Sequence, residues 1–290
     1  MKEAPELFVT EYEKRIETKF QRHGGKLLKT CRNKDPKGKN KVTIFVGGTG
    51  TATQRPARNA KIPYMNSGRS KVEMDLEAHF AGDPVDWEDL ESMELDDIQT
   101  IADTAALALG RKMDDIIIDE LTTNAGLVTE GDGSQACSVR MIMNAVEKAQ
   151  LAHWPEDAGS WYCLLGPNAW GHMKTYKQFA NADYVNDEDL PWSKKMRTST
   201  REWDGVRFIL HTGLQSPAAD QELGLMYYGS TLAAAGRTEK SDIAWMPGQD
   251  QHWAVMDKMR AGAKLAQAAG AIKLHYATNV AFQDVYHDPA

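Results

Sequence analysis

The sequence predicts an α+β protein in which one long helix supports strands from distant parts of the chain. Three observations lead to this prediction: an amphipathic stretch at 94–124, a strictly alternating stretch at 71–80, and short apolar runs interspersed with helical patterns after residue 130. Their periods are those of a long helix, a half-exposed strand, and a small sheet covered by helices.

The long helix is predicted from apolar residues that recur at three and four positions and therefore share one face. These residues are Ile98, Ile101, Ala105, Leu109, Met113, Ile116, Ile117 and Leu121. Asp96, Asp97 and Gln99 are suited to cap its start, and the stretch from Asn124 to Gly126 is suited to end it. Such a helix would run roughly 40 Å, so we expect it to lie as a beam under a sheet.

The composition is that of an ordinary globular protein, with 290 residues of which 42% are hydrophobic and 26% charged. The three cysteines form no CxxC pair and are odd in number, which favours a reducing compartment over a disulfide framework. The sequence contains no apolar run of the roughly 18 residues that a membrane span needs, and no signal-peptide core. We therefore expect a soluble cytoplasmic product without a membrane partner.

The net charge of −7 argues against a general nucleic-acid binder, but the charges are strongly segregated. Between Arg22 and Lys71 there are thirteen Lys and Arg against one acid, Asp35. Between Glu73 and Asp103 there are twelve Asp and Glu and no Lys or Arg. Either both blocks are solvated surface, or the basic block of one copy meets the acidic block of the next, where complementary charge sets register and partner choice.

The first part of the chain is expected to form an amphipathic helix at 5–23, a basic extended arm at 26–41, and then a long two-stranded finger. The finger is predicted from a β-run at 42–46, a long glycine- and proline-containing loop, and the alternating stretch at 71–80. In that stretch one face would carry Val72, Met74, Leu76, Ala78 and Phe80.

After the long helix, the pattern predicts a compact mixed α/β lobe at about 131–240. Its predicted helices are at 137–152 and 168–179, and its buried strands at 161–165 and 206–211. The last section is expected to return strands to the long helix.

No pattern in the sequence indicates an active site, a cofactor or a metal centre. The eight histidines have no metal-ligand spacing. Asp114, Asp115, Asp119 and Glu120 could hold a divalent cation, but the polar face of a helix is the simpler interpretation. The GGTG at 47–50 lacks both the lysine and the following helix of a phosphate-binding loop.

Several stretches resemble the tailed-bacteriophage major capsid proteins of the HK97 fold. The resemblance lies in TATQRPARNAKIPYMNSGRSKVEMDLEAHFAGDPVDWEDLESMELDD, in the helix ending ALGRKMDDIIIDEL, and in the opening FVTEYEKRIETKFQRHGGKLL. It covers about residues 7–125, and the remainder agrees in its order of elements. These stretches identify a structural framework and contain no catalytic motif.

The resemblance implies an HK97-like fold in five parts. They are an N-terminal arm at 1–41, an extended β-hairpin called the E-loop at 42–70, a P domain with its spine helix at 71–130, a mixed α/β A domain at 131–240, and a section at 241–290 with return strands to the P domain and a C-terminal A-domain segment.

The resemblance also implies which surfaces of neighbouring subunits are in contact. The E-loop of one subunit would lie across the P domain of its neighbour, bringing basic residues to acidic ones. The basic residues are Arg55, Arg58, Lys61, Arg69 and Lys71. The acidic residues are Asp83, Asp86, Glu88, Asp89 and Glu91.

The implied function is structural: pentamers and hexamers of an icosahedral phage head around double-stranded DNA, assembled in the cytoplasm of a bacterial host. Expected partners are other copies, a separate scaffolding protein, a portal, and DNA held by weak non-specific contact. No scaffolding segment is expected to precede the arm. The alternatives are an encapsulin-like nanocompartment shell and, from another class, a metal- or nucleotide-dependent enzyme.

Overall fold

A computed structural model describes residues 25–34, 40–54, 57–58, 61, 64–65, 67–86, 95–126, 129–156, 160–176, 200–238, 242–246 and 252–282. The α-helices in these ranges are α1 (Leu95–Asn124), α2 (Val139–Leu151) and α3 (Pro167–Thr175). The strands are β1 (Arg32–Asn33), β2 (Lys41–Gly47), β3 (Arg69–Asp75), β4 (Glu77–Asp86), β5 (Trp161–Leu165), β6 (Thr200–Trp203), β7 (Val206–Leu210), β8 (Gln221–Tyr228), β9 (Leu232–Thr238), β10 (Asp242–Met246), β11 (His252–Leu265) and β12 (Ala271–Ala277).

The predicted long helix is confirmed as α1, which is 30 residues long and spans about 45 Å at 1.5 Å per residue. Asp96 and Asp97 lie inside its first turn rather than before it, where carboxylates favour the positive end of the helix dipole. At the other end, the Ala125 amide donates to the carbonyl of Leu121 at 3.0 Å, and the Gly126 amide to that of Ala268 at 2.8 Å.

The first sheet is organised around the long strand β11. One edge of β11 pairs with β4, and the other pairs first with β10 and then with β9. Beyond β9 lies β1, which runs parallel to it. Strands from the start, middle and end of the chain therefore share this sheet, which is why no local pattern reveals its order.

The second sheet has the order β12-β8-β5-β7-β6. Its pairs are antiparallel except for β5 with β7, which are parallel. The chain crosses between these two through α3. The predicted strands at 161–165 and 206–211 and helices at 137–152 and 168–179 correspond to β5, β7, α2 and α3.

Two apolar cores flank the second sheet. One lies beneath α2 and α3, where Ile142, Trp170, Phe208 and Tyr276 are buried. The other joins α1 to both sheets: Ile117 and Leu121 pack with residues such as Leu225 of β8 and Leu265 of β11. The long helix is thus a shared support for both sheets.

The finger is the hairpin of β2 and β3, with Lys41 opposite Asp75 and Gly47 opposite Arg69. Its pairing continues into the loop, because the Gly48 amide donates to the Gly68 carbonyl at 2.6 Å. A Cβ at Gly48 would overlap that carbonyl oxygen, so the two chain segments approach closely at a residue without a side chain.

The prediction of one continuous strand at 71–80 is wrong in its second half. Alternation holds from Lys71 to Leu76, with Met74 fully buried. The strand breaks at Leu76, the chain changes partner from β2 to β11, and the buried face switches. Phe80, expected on the buried face, is 64% exposed. The physical reason is the change of partner strand: the face that is buried from Glu77 onward is set by the sheet that contains β11 and not by the alternation along β2.

Candidate assembly surfaces

The finger carries its cations on the outside. The described members of the predicted basic set, Arg58, Lys61, Arg69 and Lys71, are all exposed, and Arg55 lies outside the described residues. The Lys71 ammonium lies 2.7 Å from the Glu73 carboxylate and lowers the pKa of that exposed carboxyl through a hydrogen bond and its charge. The other three cations have no acidic partner among the ion pairs of the described residues.

The finger also exposes large apolar side chains. Tyr64 is 93% exposed, Phe45 72% and Met65 59%. Aromatic residues, methionine and arginine are the types enriched at the cores of protein interfaces. A hairpin with two strands is at best marginally stable alone in water, so this element is suited to lie against another surface.

The acidic residues predicted to receive the finger are only partly within the described chain. The backbone of Asp83 pairs with Val255, and that of Asp86 with His252, in the ladder between β4 and β11. Glu88, Asp89 and Glu91 lie outside the described residues. The contact between the two charged sets therefore remains a prediction.

The structure adds an acidic groove that the sequence pattern did not predict as a whole. A cavity of about 340 Å³ between α1 and β11 is lined by four carboxylates, those of Asp75, Glu77, Asp119 and Glu120, together with Lys112. Some of these carboxylates have partners within the chain: Glu120 receives the Leu265 amide at 2.9 Å and faces the Lys264 ammonium at 3.2 Å. Asp119 and Glu120 were candidates in the sequence, but nothing there indicated that carboxylates of β3 and β4 would lie beside them, because the walls come from segments that are distant along the chain.

The interpretation of the aspartates of α1 as one polar face is wrong for Asp114, which is 0% exposed. Its carboxylate accepts the amides of Lys26 at 3.3 Å and Leu27 at 3.1 Å, and Nε2 of His211 lies 3.5 Å away. Asp114 therefore fastens the first described residues to α1. The position could have been suspected from Ile118, four residues later on the same face and also buried.

This attachment continues along the arm. Leu27 is fully buried, the Thr30 hydroxyl lies 2.5 Å from the Tyr227 hydroxyl, and the Lys34 amide donates to the Ala234 carbonyl at 2.9 Å. The arm thus enters the molecule by lying across α1 and both sheets.

The described residues form no group of three or more His, Cys, Asp or Glu side chains placed to hold a metal. The glycines at 47–50 belong to the finger, and the amide of Gly48 donates to the Gly68 carbonyl within it, so that amide is engaged within the hairpin. In the described part of the chain, every helix is too short or too polar to cross a membrane.

A family model for phage capsid proteins matches residues 4–278 of the chain. A search of curated proteins found no match. Solved structures with a similar fold include the capsid of cyanophage P-SCSP1u, at 12% identity and a TM-score of 0.65 over 94% of both chains. The structure of Mycobacterium phage Che8 is similar at 14% identity and a TM-score of 0.67, over 91% of this chain and 95% of the other. The capsid of a native GTA particle is similar at 13% identity and a TM-score of 0.69, over 93% and 96%.

Proposed function

The chain belongs to the phage capsid protein family, and we propose that its copies assemble into the pentamers and hexamers of an icosahedral head around double-stranded DNA. Its fold is the HK97-like capsid fold, and its role is that of a structural major capsid protein. The family match favours a phage head over an encapsulin-like shell. We propose a role without catalysis, metal or cofactor.

The observation that carries the assembly proposal is the finger. It is an exposed two-stranded hairpin with cations at Arg58, Lys61 and Arg69 and an apolar tip at Tyr64 and Met65. Since the net charge is −7 and the block from Glu73 to Asp103 is acidic, the surface most suited to this element is an acidic one on another copy. A contact between two different patches can repeat from copy to copy, and it forms a ring when the rotation between copies closes.

In this proposal residues 42–70 of the finger form the E-loop, which lies across the P domain of the next subunit. The cations of the finger then lie near Asp83, Asp86, Glu88, Asp89 and Glu91. The arm at 1–41 reaches over an adjacent subunit. The A domain, at about 131–240, surrounds the five-fold and six-fold axes, although β9 within that range pairs with β11 in the sheet of the P domain. The section at 241–290 supplies β11 to one sheet and β12 to the other.

The further partners we propose are a separate scaffolding protein, a portal, and DNA held by weak non-specific contact. Assembly would take place in the cytoplasm of a bacterial host, and the finished location would be the virion. The net charge of −7 supports confinement rather than tight DNA binding.

The experiment is electron microscopy of the purified chain beside light scattering over a salt series. Shells, tubes or rings are expected at low salt and should diminish at high salt, because exposed charges more than about 10 Å apart are screened at 0.1 M. If small species alone appear, the candidate scaffolding protein is added. A chain that stays monomeric with the scaffold, at high concentration and low salt, would overturn the proposal.

A further inference from the structure

A groove of about 750 Å³ lies at the root of the finger. One wall is β2, another is the arm around Cys31, and the third is the end of α2 with the nearby aromatic residues Trp154, Tyr162 and Tyr228. Phe45, 72% exposed, stands at its side. We call it the root groove.

The root groove presents the edge of a strand. Ile44, Phe45 and Val46 are consecutive, yet all three line it. Successive side chains of a strand point to opposite faces, so three in a row line a groove when it runs along the strand's edge. On its other edge β2 pairs with β3, and no further partner strand for β2 occurs among the described residues. An unpaired edge of this kind is a template for an additional segment of chain.

The charge of the root groove is opposite to that of the molecule. Its lining residues include Lys29, Arg32 and His153 and no Asp or Glu, in a chain whose net charge is −7. On the far side of the hairpin, Lys71 is opposite Phe45 and Arg69 is opposite Gly47. An occupant that is both acidic and apolar would match the cations and the aromatic wall together.

The chain itself contains such a segment. Residues 87–94, WEDLESME, combine the apolar Trp87, Leu90 and Met93 with four acids and no cation. In the N-terminal half of the chain, the other long segment outside the described ranges is 1–24. It contains five acids and five Lys and Arg, so charge favours 87–94 as the occupant of the root groove.

We propose that the root groove binds residues 87–94 of a second copy, with the apolar side chains against its aromatic wall and the acids beside Lys29 and Arg32. The inference rests on the proposed assembly of copies and deepens it: the basic surface that meets the acidic segment extends from the finger onto the arm.

The first test is binding of a fluorescein-labelled peptide of residues 84–96 to the full chain, followed by anisotropy. The double variant Lys29→Glu with Arg32→Glu, changed at two residues that are exposed in the free chain, is expected to weaken binding at least about tenfold, since juxtaposed like charges are costly. The matched control Arg140→Glu, an exposed cation of α2 outside the groove, should bind as the wild type does. A peptide in which Lys replaces the four acids of 87–94 should bind the double variant more tightly than the wild type. Equal binding of the unchanged peptide to the double variant and to the wild type would overturn the inference.

The second test locates the contact within particles. Chains carrying Phe45→Cys and chains carrying Leu90→Cys, both with Cys31→Ser, are co-assembled and oxidised. A dimer on a denaturing gel is expected, while pairing Met143→Cys on α2 with Leu90→Cys should give none.

Particles without the cross-link would overturn this inference and leave the proposed assembly intact, whereas failure of every chain to assemble, even with scaffold, would count against the proposed function. If no chain assembles, the peptide-binding test is the one that decides the inference. A cross-link between the Phe45→Cys chain and a Phe8→Cys chain would assign the groove to the N-terminal segment instead and would also overturn it.

Discussion

Asp114 is the residue on which the attachment of the arm depends. Its buried carboxylate accepts two amides, those of Lys26 and Leu27. Asp114→Asn replaces one acceptor oxygen by a donor, so a buried amide loses its partner, which costs about 1–3 kcal/mol. We expect a lower urea midpoint and faster tryptic cleavage at Lys26 and Lys29. The matched control Asp103→Asn, exposed on the same helix, should stay within about 0.5 kcal/mol of the wild type; equal effects of the two changes would contradict this role for Asp114.

Glu222 gives a residue-scale prediction for pH. Burial raises the pKa of its carboxyl, although the Tyr276 hydroxyl donates to it at 3.1 Å and opposes the shift. A folded pKa above the unfolded value means that stability is lost as pH rises from the unfolded value, about 4.3, through the folded one. Glu222→Gln keeps an acceptor for Tyr276 and has no charge to bury.

Thermal unfolding of the unassembled chain between pH 4 and pH 8 checks this prediction. The melting temperature of Glu222→Gln should exceed that of the wild type most at neutral pH and least at the acid end. Glu147→Gln, an exposed change on α2, should follow the wild-type curve. A difference that does not vary with pH would contradict the assignment.

At the scale of elements, the finger offers a pair of adjacent glycines with different surroundings. A Cβ at Gly48 would overlap the backbone carbonyl of Gly68, whereas Gly47 has open space. Gly48→Ala should separate the two segments of the finger at a cost of about 1–3 kcal/mol, with faster proteolysis at Arg58 and Lys61 and weaker assembly. Gly47→Ala should behave as the wild type. If both variants are cleaved at the wild-type rate, the close approach at Gly48 does not hold the finger.

The elements differ in how far sequence could predict them. α1 was predictable because its apolar spacing repeats over 30 residues, and the pattern is local. The alternation at 71–80 was visible too, but the switch at Leu76 depends on β11, which lies near the other end of the chain. Burial of Asp114 likewise depends on Leu27 and His211. The acidic groove and the root groove were not predictable, since each is formed by segments that the fold alone brings together.

At the scale of the whole molecule, the segregation of charge along the sequence becomes a segregation of surfaces. The finger and arm are basic, and the chain from Glu73 to Asp103 is acidic. The described cations of the finger are exposed in one copy, so the free chain gains little from them, as exposed charges contribute about 0–1 kcal/mol. We expect these cations to contribute free energy to contacts between copies instead.

Charge exchange tests this at the level of assembly. Arg58→Glu with Lys61→Glu should leave the circular dichroism and melting temperature of the free chain unchanged, because both residues are exposed. It should nevertheless abolish shells and rings in electron microscopy, since the finger would then meet acids with acids, and like charges across an interface cost several kcal/mol. The variant with Glu88→Lys and Asp89→Lys should also fail to form shells and rings, because cations would then meet the cations of the finger.

A chain carrying all four changes restores opposite charges between the finger and Glu88 and Asp89. Because the acids of 87–94 also lie beside Lys29 and Arg32 in the root groove, full recovery of assembly, with the same loss at high salt, is expected once Lys29→Glu and Arg32→Glu are added. The control is Arg140→Glu, at an exposed site on α2. It changes the net charge by the same amount per residue, so comparing it with the finger variant separates a specific contact from an effect of total charge. If the variant with all six changes fails although each free chain is folded, the cations of the finger do not face Glu88 and Asp89. The acidic groove beside α1, with Asp75, Glu77, Asp119 and Glu120 in its walls, then becomes the surface in which to repeat the exchange.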